Sequence, residues 1–491
     1  MATTMAFRNI HTRNAAFHTQ VICKRSISSK PLPRQATTYA PNHVSSTTNN
    51  LSFPEASHPS GLPETPLQAP LSILPLSSVL RSLAITTVSS SPILLPPSLA
   101  VTSMLAHSTS PILSPDKNPI LRFLLKHTFY RQFCAGENPA EVKNTINGMK
   151  ELGFKGVILG YAKEVVMDEA QADSLTSCGS SEALETCIRD EIIPWKEGSI
   201  ETVKLAGPDD FVALKFTGAG SQALYDLKQQ ADPSPALKEA IDSICDLAAA
   251  RGTRILFDAE QQAIQAGIDA WTLDYMRKYN NRTPGKAVIY GTYQAYLKAT
   301  PKILASHLAT ARKENFTLGV KLVRGAYLGS DPRHLIHDTI EDTHAAYNGI
   351  ASSLATRTYS PPLQPQAGET QFPSINVVLA GHNHTSVRQI QDLRTQQVRN
   401  GEKQTDLVYA QLQGMADEIS CELVQAGRMG GKDVDVPMAY KYAVWGTTGE
   451  CMKYLLRRAH ENKQAVQRTR NGRDAMRKEV LRRVKGFFGV V

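Results

Sequence analysis

The 491-residue chain has few cysteines, no acidic side chains at its start and no long unbroken apolar run. Its seven cysteines (positions 23, 134, 178, 187, 245, 421 and 451) are odd in number and scattered, with no Cys-x-x-Cys pair. That pattern argues against a zinc ribbon or a disulfide framework and predicts free thiols in a reducing compartment, with no metal site. Residues 1–54 hold six basic side chains (Arg8, Arg13, Lys24, Arg25, Lys30 and Arg34) and no Asp or Glu. The stretch is Ser-rich and lacks the compact apolar core of a secretory signal, so it reads as a mitochondrial transit peptide. Setting those six aside leaves 48 basic against 45 acidic side chains, so most of the net charge of +9 belongs to the leader. No basic stripe interleaved with aromatics occurs, which removes nucleic acid as an expected partner.

The missing apolar run is equally informative. Residues 55–117 are rich in Pro, Ser and Leu, as in "LSILPLSSVLRSLAITTVSSSPILLPPSLAV". Pro75, Arg81, Pro92, Pro96 and Pro97 interrupt every window of roughly 18–20 residues that could span a bilayer. The composition predicts a segment of low order and no transmembrane helix, and leaves contact with a membrane surface open.

From residue 118 the texture is globular. Eight short, nearly continuous apolar runs follow: "FKGVILG" (154–160), "FVALKF" (211–216), "TRILFDA" (253–259), "KAVIYGTY" (286–293), "LGVKLVRG" (318–325), "INVVLAG" (375–381), "DLVYAQL" (406–412) and "DVPMAYKY" (435–442). Strands covered on both faces read this way, and amphipathic helical stretches separate them. Eight strand–helix alternations predict an α/β fold of the (β/α)8 barrel type over 118–491, with an amino-terminal helical arm and a basic carboxyl-terminal helix. Glu164, Lys215, Asp258, Gln294, Arg324, Tyr327, His382, Asn383 and Gln411 fall near the carboxyl ends of the runs, the rim where such barrels carry their active sites. The stretches 354–372 and 393–406, with their Pro, Gln and Gly, are expected to be surface peninsulas.

One motif points elsewhere. "FVALKFTGAGSQAL" (211–224) has the outline of a dinucleotide-binding fingerprint, a strand, Gly-x-Gly-x-x-Ala and a helix start. Such a unit needs an acidic residue about 20 positions on, at the end of the next strand. Here that distance lands on Glu239, inside the helical stretch "PALKEAIDS". The glycines are therefore assigned to a turn after Lys215, not to a cofactor.

Three stretches carry more specific information: "FDAEQQAIQAGIDAWTLDYMRKYN" with "IYGTYQAYLK" after it, "VKLVRGAYLGSDPR", and "YLLRRAHEN". Together with "TFYRQFCAGEN" and "LAGHNHTSV" they resemble the proline dehydrogenase family in the right order over roughly 118–470. Helical spacing independently puts Tyr454, an arginine of the pair Arg457–Arg458, and Glu461 on one face. Adjacent guanidiniums call for an anion between them, and their planar forks suit a carboxylate.

The resemblance implies an FAD enzyme that oxidises L-proline to Δ1-pyrroline-5-carboxylate by hydride transfer from C5 to flavin N5. It places the enzyme on the matrix side of the inner mitochondrial membrane, with a membrane quinone as electron acceptor. Arg457, Arg458 and Lys215 would hold the substrate carboxylate, and Tyr327 and Tyr454 would wall the pocket. Asp258 would order it with a tyrosine or lysine; as a residue alone it also reads as a helix N-cap. Lys321, Arg324, Gln294, His382, Asn383 and Glu461 would serve the cofactor, and Glu164 would pair with Arg457 as a gate. Many family members exchange Arg and Lys at positions 321 and 324, and often carry Thr where Gly381 stands. Two other readings stay open on the residues alone: a Schiff-base lyase using Lys215 or Lys321, and a non-enzymatic mitochondrial scaffold.

Overall fold

In a computed structural model, the structure describes residues 69–489 apart from 109, 164, 166–176, 179–180 and 465, and apart from the side chains of 181 and 461–468. All eight apolar runs form strands: β2 (Gly156–Tyr161), β3 (Phe211–Leu214), β4 (Arg254–Phe257), β5 (Ile289–Gln294), β6 (Leu318–Val323), β7 (Ile375–Ala380), β8 (Asp406–Leu412) and β9 (Ala439–Trp445). Each pairs in parallel with its neighbour in sequence, and β9 closes on β2. The result is the expected (β/α)8 barrel. A short β1 (Cys134–Gly136), in a stretch whose spacing suggests helix, adds to the end of β9 opposite Val444 and Trp445.

Side chains facing the barrel axis recur every second residue, and their polarity changes along each strand. Phe211, Ala213 and Lys215 follow one another from β3, and Tyr290, Thr292 and Gln294 follow one another on β5. At the amino-terminal end Phe211 meets the rings of Tyr290 and Tyr440 edge-on at 5.3 and 5.4 Å. The Arg254 guanidinium covers Phe211 at 3.7 Å and bonds Tyr440. This aromatic plug fills one end of the barrel, and the polar ends of the same strands line the other.

Two sequence expectations need correction. The described part of the Pro/Ser-rich segment is helical: Leu76–Ser90 packs along the carboxyl-terminal helix Val466–Phe487, and Leu95–His107 packs along the helix Thr448–Gln464. Prolines end these helices without preventing them, because Pro96 and Pro97 occupy the first turn, where no N–H is needed. The two helices meet at a 105° bend, and among the described residues no single helix is long and apolar enough to cross a membrane. Cys178 and Cys187 form a disulfide, which cysteine spacing did not signal. The stretches 354–372 and 393–406 are, as expected, helix ends with the surface loops that follow them, anchored by the buried Leu363 and by a buried ion pair between Arg394 and Asp435 at 3.1 Å.

The glycine-rich stretch is a close-packed turn. A Cβ on Gly218 would lie 2.4 Å from the Lys163 carbonyl, and Gly220 has φ +93° with Glu191 where a side chain would go. The Glu191 carboxylate accepts from the Ser221 N–H at 2.8 Å and from its hydroxyl at 2.7 Å, so the start of this helix already holds an anion. Glu239, on the helix Pro235–Arg251, pairs with Lys196 at 2.7 Å on the surface.

Glu137 anchors the helix that follows the last strand. It accepts from the Thr448 N–H at 3.0 Å and hydroxyl at 2.6 Å, and pairs with Arg122 and Lys126 at 3.0 and 2.8 Å. Burial disfavours its charge, but hydrogen bonds from Lys126, Thr448 and Arg122 outweigh that cost and lower its pKa to about 2.

Two measurements check this account. Gly220→Ala places a side chain at a backbone conformation that costs about 1–3 kcal/mol and against Glu191. Its melting temperature should fall clearly in thermal denaturation, and whatever protein folds should match the parent in any flavin it binds. Glu137→Gln should lose roughly 2–3 kcal/mol in chemical denaturation at pH 7. Because a depressed carboxyl stabilises the fold above its unfolded pKa and ceases to do so as pH falls, the gap between variant and parent should close from about pH 5 toward pH 2. A gap that stays constant with pH would remove Glu137 as the charged anchor.

Candidate active site

A cavity of about 520 Å³ opens at the carboxyl ends of the strands. It gathers the sequence-predicted residues Lys215, Asp258, Gln294, Lys321, Arg324, Tyr327, His382, Tyr454, Arg457 and Arg458 into its lining. Asn383 is not brought in. Its side chain caps the helix His384–Arg399 by accepting from Ser386 N at 3.0 Å. The Glu461 side chain and Glu164 lie outside the described residues.

Asp258 sits at the centre of the constellation. It is buried just beyond β4, while the helix that follows starts at Gln262 with Gln261 as its cap, so the N-cap reading of Asp258 does not apply. One carboxylate oxygen pairs with Lys321 Nζ from β6, and the other accepts from the Tyr442 hydroxyl of β9 at 2.9 Å. Burial and the nearby Asp258 charge raise the Tyr442 pKa, so the phenol keeps the proton it donates. The Lys321 ammonium also stands 5.0 Å from the Tyr442 ring. Three strands far apart in sequence are thereby tied at one point, and a carboxylate with both oxygens occupied is held in one orientation.

The cationic side is supplied by the helix Thr448–Gln464, where Arg457 and Arg458 follow Tyr454 by one turn. Arg457 donates weakly to the Tyr327 hydroxyl at 3.5 Å and lies 5.5 Å from that ring, and Arg458 lies 5.4 Å from the Tyr454 ring. Lys215 comes up from β3 to the same cavity. Burial pushes its pKa well below the ordinary lysine range, and the Arg457 charge adds to the effect; Asp258 and Glu260 pull the other way. Burial likewise raises the Tyr327 phenol.

A second cationic position lies toward β7. Arg324 donates to His344 Nδ1 at 3.1 Å and to Ser386 Oγ at 2.7 Å, and its guanidinium stacks 4.1 Å from the Tyr347 ring. It thus stands at the amino end of the helix His384–Arg399, a place where an anion is favoured twice over. A Cβ on Gly381 would come within 3.3 Å of the Arg324 Nη1 atom. The bulky guanidinium at 324 and the bare backbone at 381 therefore fit each other. His382 Nε2 accepts from Leu412 N at 3.0 Å, which leaves Nδ1 to carry the proton of the neutral ring.

Gln294 is fixed at both ends, its Nε2 donating to the Glu260 carbonyl at 3.3 Å and its Oε1 accepting from Ala326 N at 3.2 Å. Thr292 Oγ1, on the same strand and lining the same cavity, is buried without a hydrogen-bond partner among the described residues. Such an atom suits a polar ligand in the cavity. Sequence reasoning missed Tyr442 and Glu260. Tyr442 had a usable signal, since the alternation in "AYKY" puts it on the inner face of the eighth run. Glu260 had none, because it lies beyond a strand in what reads as a helix start.

The comparisons agree with this geometry. A family model described as Proline dehydrogenase matches residues 142–471. A probable mitochondrial proline dehydrogenase of Schizosaccharomyces pombe is 29% identical over 411 residues, covering 75% of this chain and 81% of the relative. Mitochondrial proline dehydrogenase 1 of Dictyostelium discoideum is 29% identical over 400 residues, covering 70% of this chain and 62% of that relative. The crystal structure of proline utilization A from Bdellovibrio bacteriovorus, inactivated by N-propargylglycine, superimposes with a TM-score of 0.57 at 16% identity. That match covers 79% of this chain and 38% of the larger protein, and it supports the fold. Matched by the family model over more than half its length, with the barrel and the strand-end residues in place, the chain belongs to the proline dehydrogenase family.

Proposed function

We propose that the chain is an FAD-dependent enzyme that oxidises L-proline to Δ1-pyrroline-5-carboxylate in proline catabolism and passes the electrons to a membrane quinone. Family membership supports the proline-oxidising part of this reading. The observation that carries the rest is the convergence of Arg457, Arg458 and Lys215 with the Asp258–Lys321–Tyr442 cluster on one cavity.

Two guanidiniums and an ammonium together bind the carboxylate of an α-amino acid, and the Tyr327 and Tyr454 rings supply apolar surface for a pyrrolidine. The cationic field also disfavours a protonated ring nitrogen, so proline is held as the free amine, whose lone pair can form the C=N bond. No dedicated base is needed for that. The residues present fit a flavin: Lys321, Gln294 and the unsatisfied Thr292 hydroxyl offer polar contacts to a ring system, and Arg324 with the helix start at His384 offers a site for a pyrophosphate. When bound, FAD supplies the two-electron acceptor for the C5 hydride. The protein's part is orientation and charge.

For location we propose the matrix side of the inner mitochondrial membrane, supported by the acid-free leader and the mitochondrial relatives. The arm supports contact with a lipid surface. Leu94, Val101 and Met104 are exposed on one side of the helix Leu95–His107, Ile112, Ile120 and Phe123 are exposed just after it, and residues 65–115 contain no Asp or Glu. A second reading has one observation in its favour: a lysine with a depressed pKa on a barrel strand also suits Schiff-base chemistry. Borohydride trapping of a carbonyl compound on a flavin-free protein would establish that reading instead.

The direct test is a flavin absorption spectrum of the purified protein, bleached by proline without added dye. Arg457→Met or Arg458→Met should each lower proline kcat/KM by about ten- to a hundredfold while leaving the flavin bound. If both variants turn over like the parent, the carboxylate clamp is wrongly assigned. Val101→Glu with Met104→Glu should reduce cosedimentation with anionic vesicles and leave dye-linked turnover unchanged; undiminished cosedimentation would remove the arm from the membrane contact.

A further inference from the structure

Glu260 is more deeply buried than Asp258, 2% exposed against 6%, and nothing in the clamp or the cofactor contacts uses its carboxylate. Burying a carboxylate is costly unless it is fully hydrogen-bonded. Glu260 meets that condition through one residue: Oε1 accepts from the Thr217 N–H at 3.1 Å, and Oε2 accepts from the Thr217 hydroxyl. Thr217 Oγ1 also accepts from Val165 N at 3.3 Å, so this one hydroxyl ties Glu260 to a second segment.

Thr217 lies two residues after Lys215, in the single turn Phe216–Ala219 that follows β3. The main chain of Glu260 holds the other side of the cavity, its carbonyl accepting from Gln294 Nε2 at 3.3 Å and its N–H donating to Gln265 Oε1 at 2.8 Å. One buried residue therefore fixes the loop that carries a substrate-binding cation and the side chain assigned to the flavin edge.

We propose that Glu260 is a positioning residue for substrate binding, which sets the place of Lys215 through Thr217 while its main chain holds Gln294. The inference rests on the proposed function, in which Lys215 is the third group on the substrate carboxylate. The charged groups acting on Lys215 include Arg457 and Arg458 from the helix Thr448–Gln464 and Asp258 and Glu260 from the end of β4. Burial and the two arginines drive Lys215 toward the neutral amine, and the two carboxylates hold its proton on. Glu260 is itself raised by burial, against the Thr217 hydrogen bonds and the Lys215 charge, so the two groups support each other's ionised forms.

The test uses the full-length flavoprotein and cyclopentanecarboxylate, which keeps the ring and the carboxylate of proline, has no amine, and is ionised throughout the range from pH 6.5 to 9.5. In calorimetric titrations, the parent's affinity should fall as pH rises, because burial holds the Lys215 ammonium below the ordinary lysine range. Glu260→Gln removes one negative neighbour, lowers the Lys215 pKa further and moves that fall to lower pH. It should weaken binding about ten- to a hundredfold at pH 8 and raise proline KM more than it lowers kcat, with the flavin spectrum retained. Glu260→Asp, which keeps the charge, should bring the pH midpoint back toward the parent's. Should the Gln variant fail to accumulate, Thr217→Val removes the hydroxyl that holds Glu260 Oε2 and loosens the loop, so proline KM should rise with the flavin spectrum retained. Parent-like affinity and midpoint in Glu260→Gln, or parent-like KM in Thr217→Val, overturn the inference and leave the proposed function standing. A parent protein that binds neither flavin nor cyclopentanecarboxylate overturns both.

Discussion

Positive charge concentrated at one end of a barrel is the constraint on which the rest of this structure depends. Lys215, Lys321, Arg324, Arg457 and Arg458 all line one cavity. Like charges a few ångströms apart in a partly buried site repel by up to about 4 kcal/mol per pair, so such a cluster persists only with anions among it. The protein provides two, Asp258 and Glu260, each bound on both oxygens. The proposed ligands would bring the remainder, as a substrate carboxylate near the arginine pair and a pyrophosphate near Arg324. A pocket arranged this way favours the anionic end of an amino acid and disfavours a protonated amine. A C–N bond oxidation needs both effects.

That concentration of charge has to be held without collapsing, and the burden falls on segments outside the barrel. The two arginines come from a helix that begins only after the last strand, so its orientation depends on what holds its start. Glu137 caps Thr448, Asp116 accepts from Gly449 N at 2.9 Å, and the buried Tyr130 hydroxyl donates to the Gly446 carbonyl at 2.7 Å. All three partners precede β2 in sequence. The helix Leu95–His107 packs along the same helix, and Leu76–Ser90 packs along the carboxyl-terminal helix that follows it. The arm is therefore part of the scaffold of the site. Its exposed apolar side gives a physical route by which a lipid surface would bear on the helix that carries the clamp.

Most of this architecture is legible in the sequence because its signals are local. The eight runs were continuous enough in Val, Ile, Leu and Tyr to mark every barrel strand, and residues just beyond a strand's carboxyl end needed only the barrel hypothesis to be gathered at one mouth. Asp258 could be paired with a tyrosine or a lysine in advance; it binds one of each. What the sequence hid was contact between distant segments. Tyr442 became a partner of Asp258 only once β9 closed on β2. Glu260 faces Thr217 across 43 residues. The disulfide between Cys178 and Cys187 joins two positions whose spacing carries no motif, and β1 is three residues long in a stretch of helical composition. The arm differs for another reason: proline content predicts low order, whereas Pro96 and Pro97 sit in a first turn that accepts them.

The glycine-rich motif shows the same division between local pattern and assembled context. Two helix amino ends lie near the barrel mouth, and each could favour an anion through its exposed N–H groups. The one that carries the fingerprint, at Ser221, is occupied from within by Glu191, and its glycines exist because Lys163 and Glu191 leave no room for a side chain. The one without a fingerprint, at His384, has Arg324 beside it and Gly381 three residues before it, where a Cβ would crowd that guanidinium. A glycine pattern reports close approach of the backbone to something, and the sequence alone does not say whether that is a phosphate or the protein itself. Here the carboxylate of Glu191 answers for the first helix. At the second, Arg324 stands beside the helix start, which under the proposed function is where the cofactor's anionic group would bind.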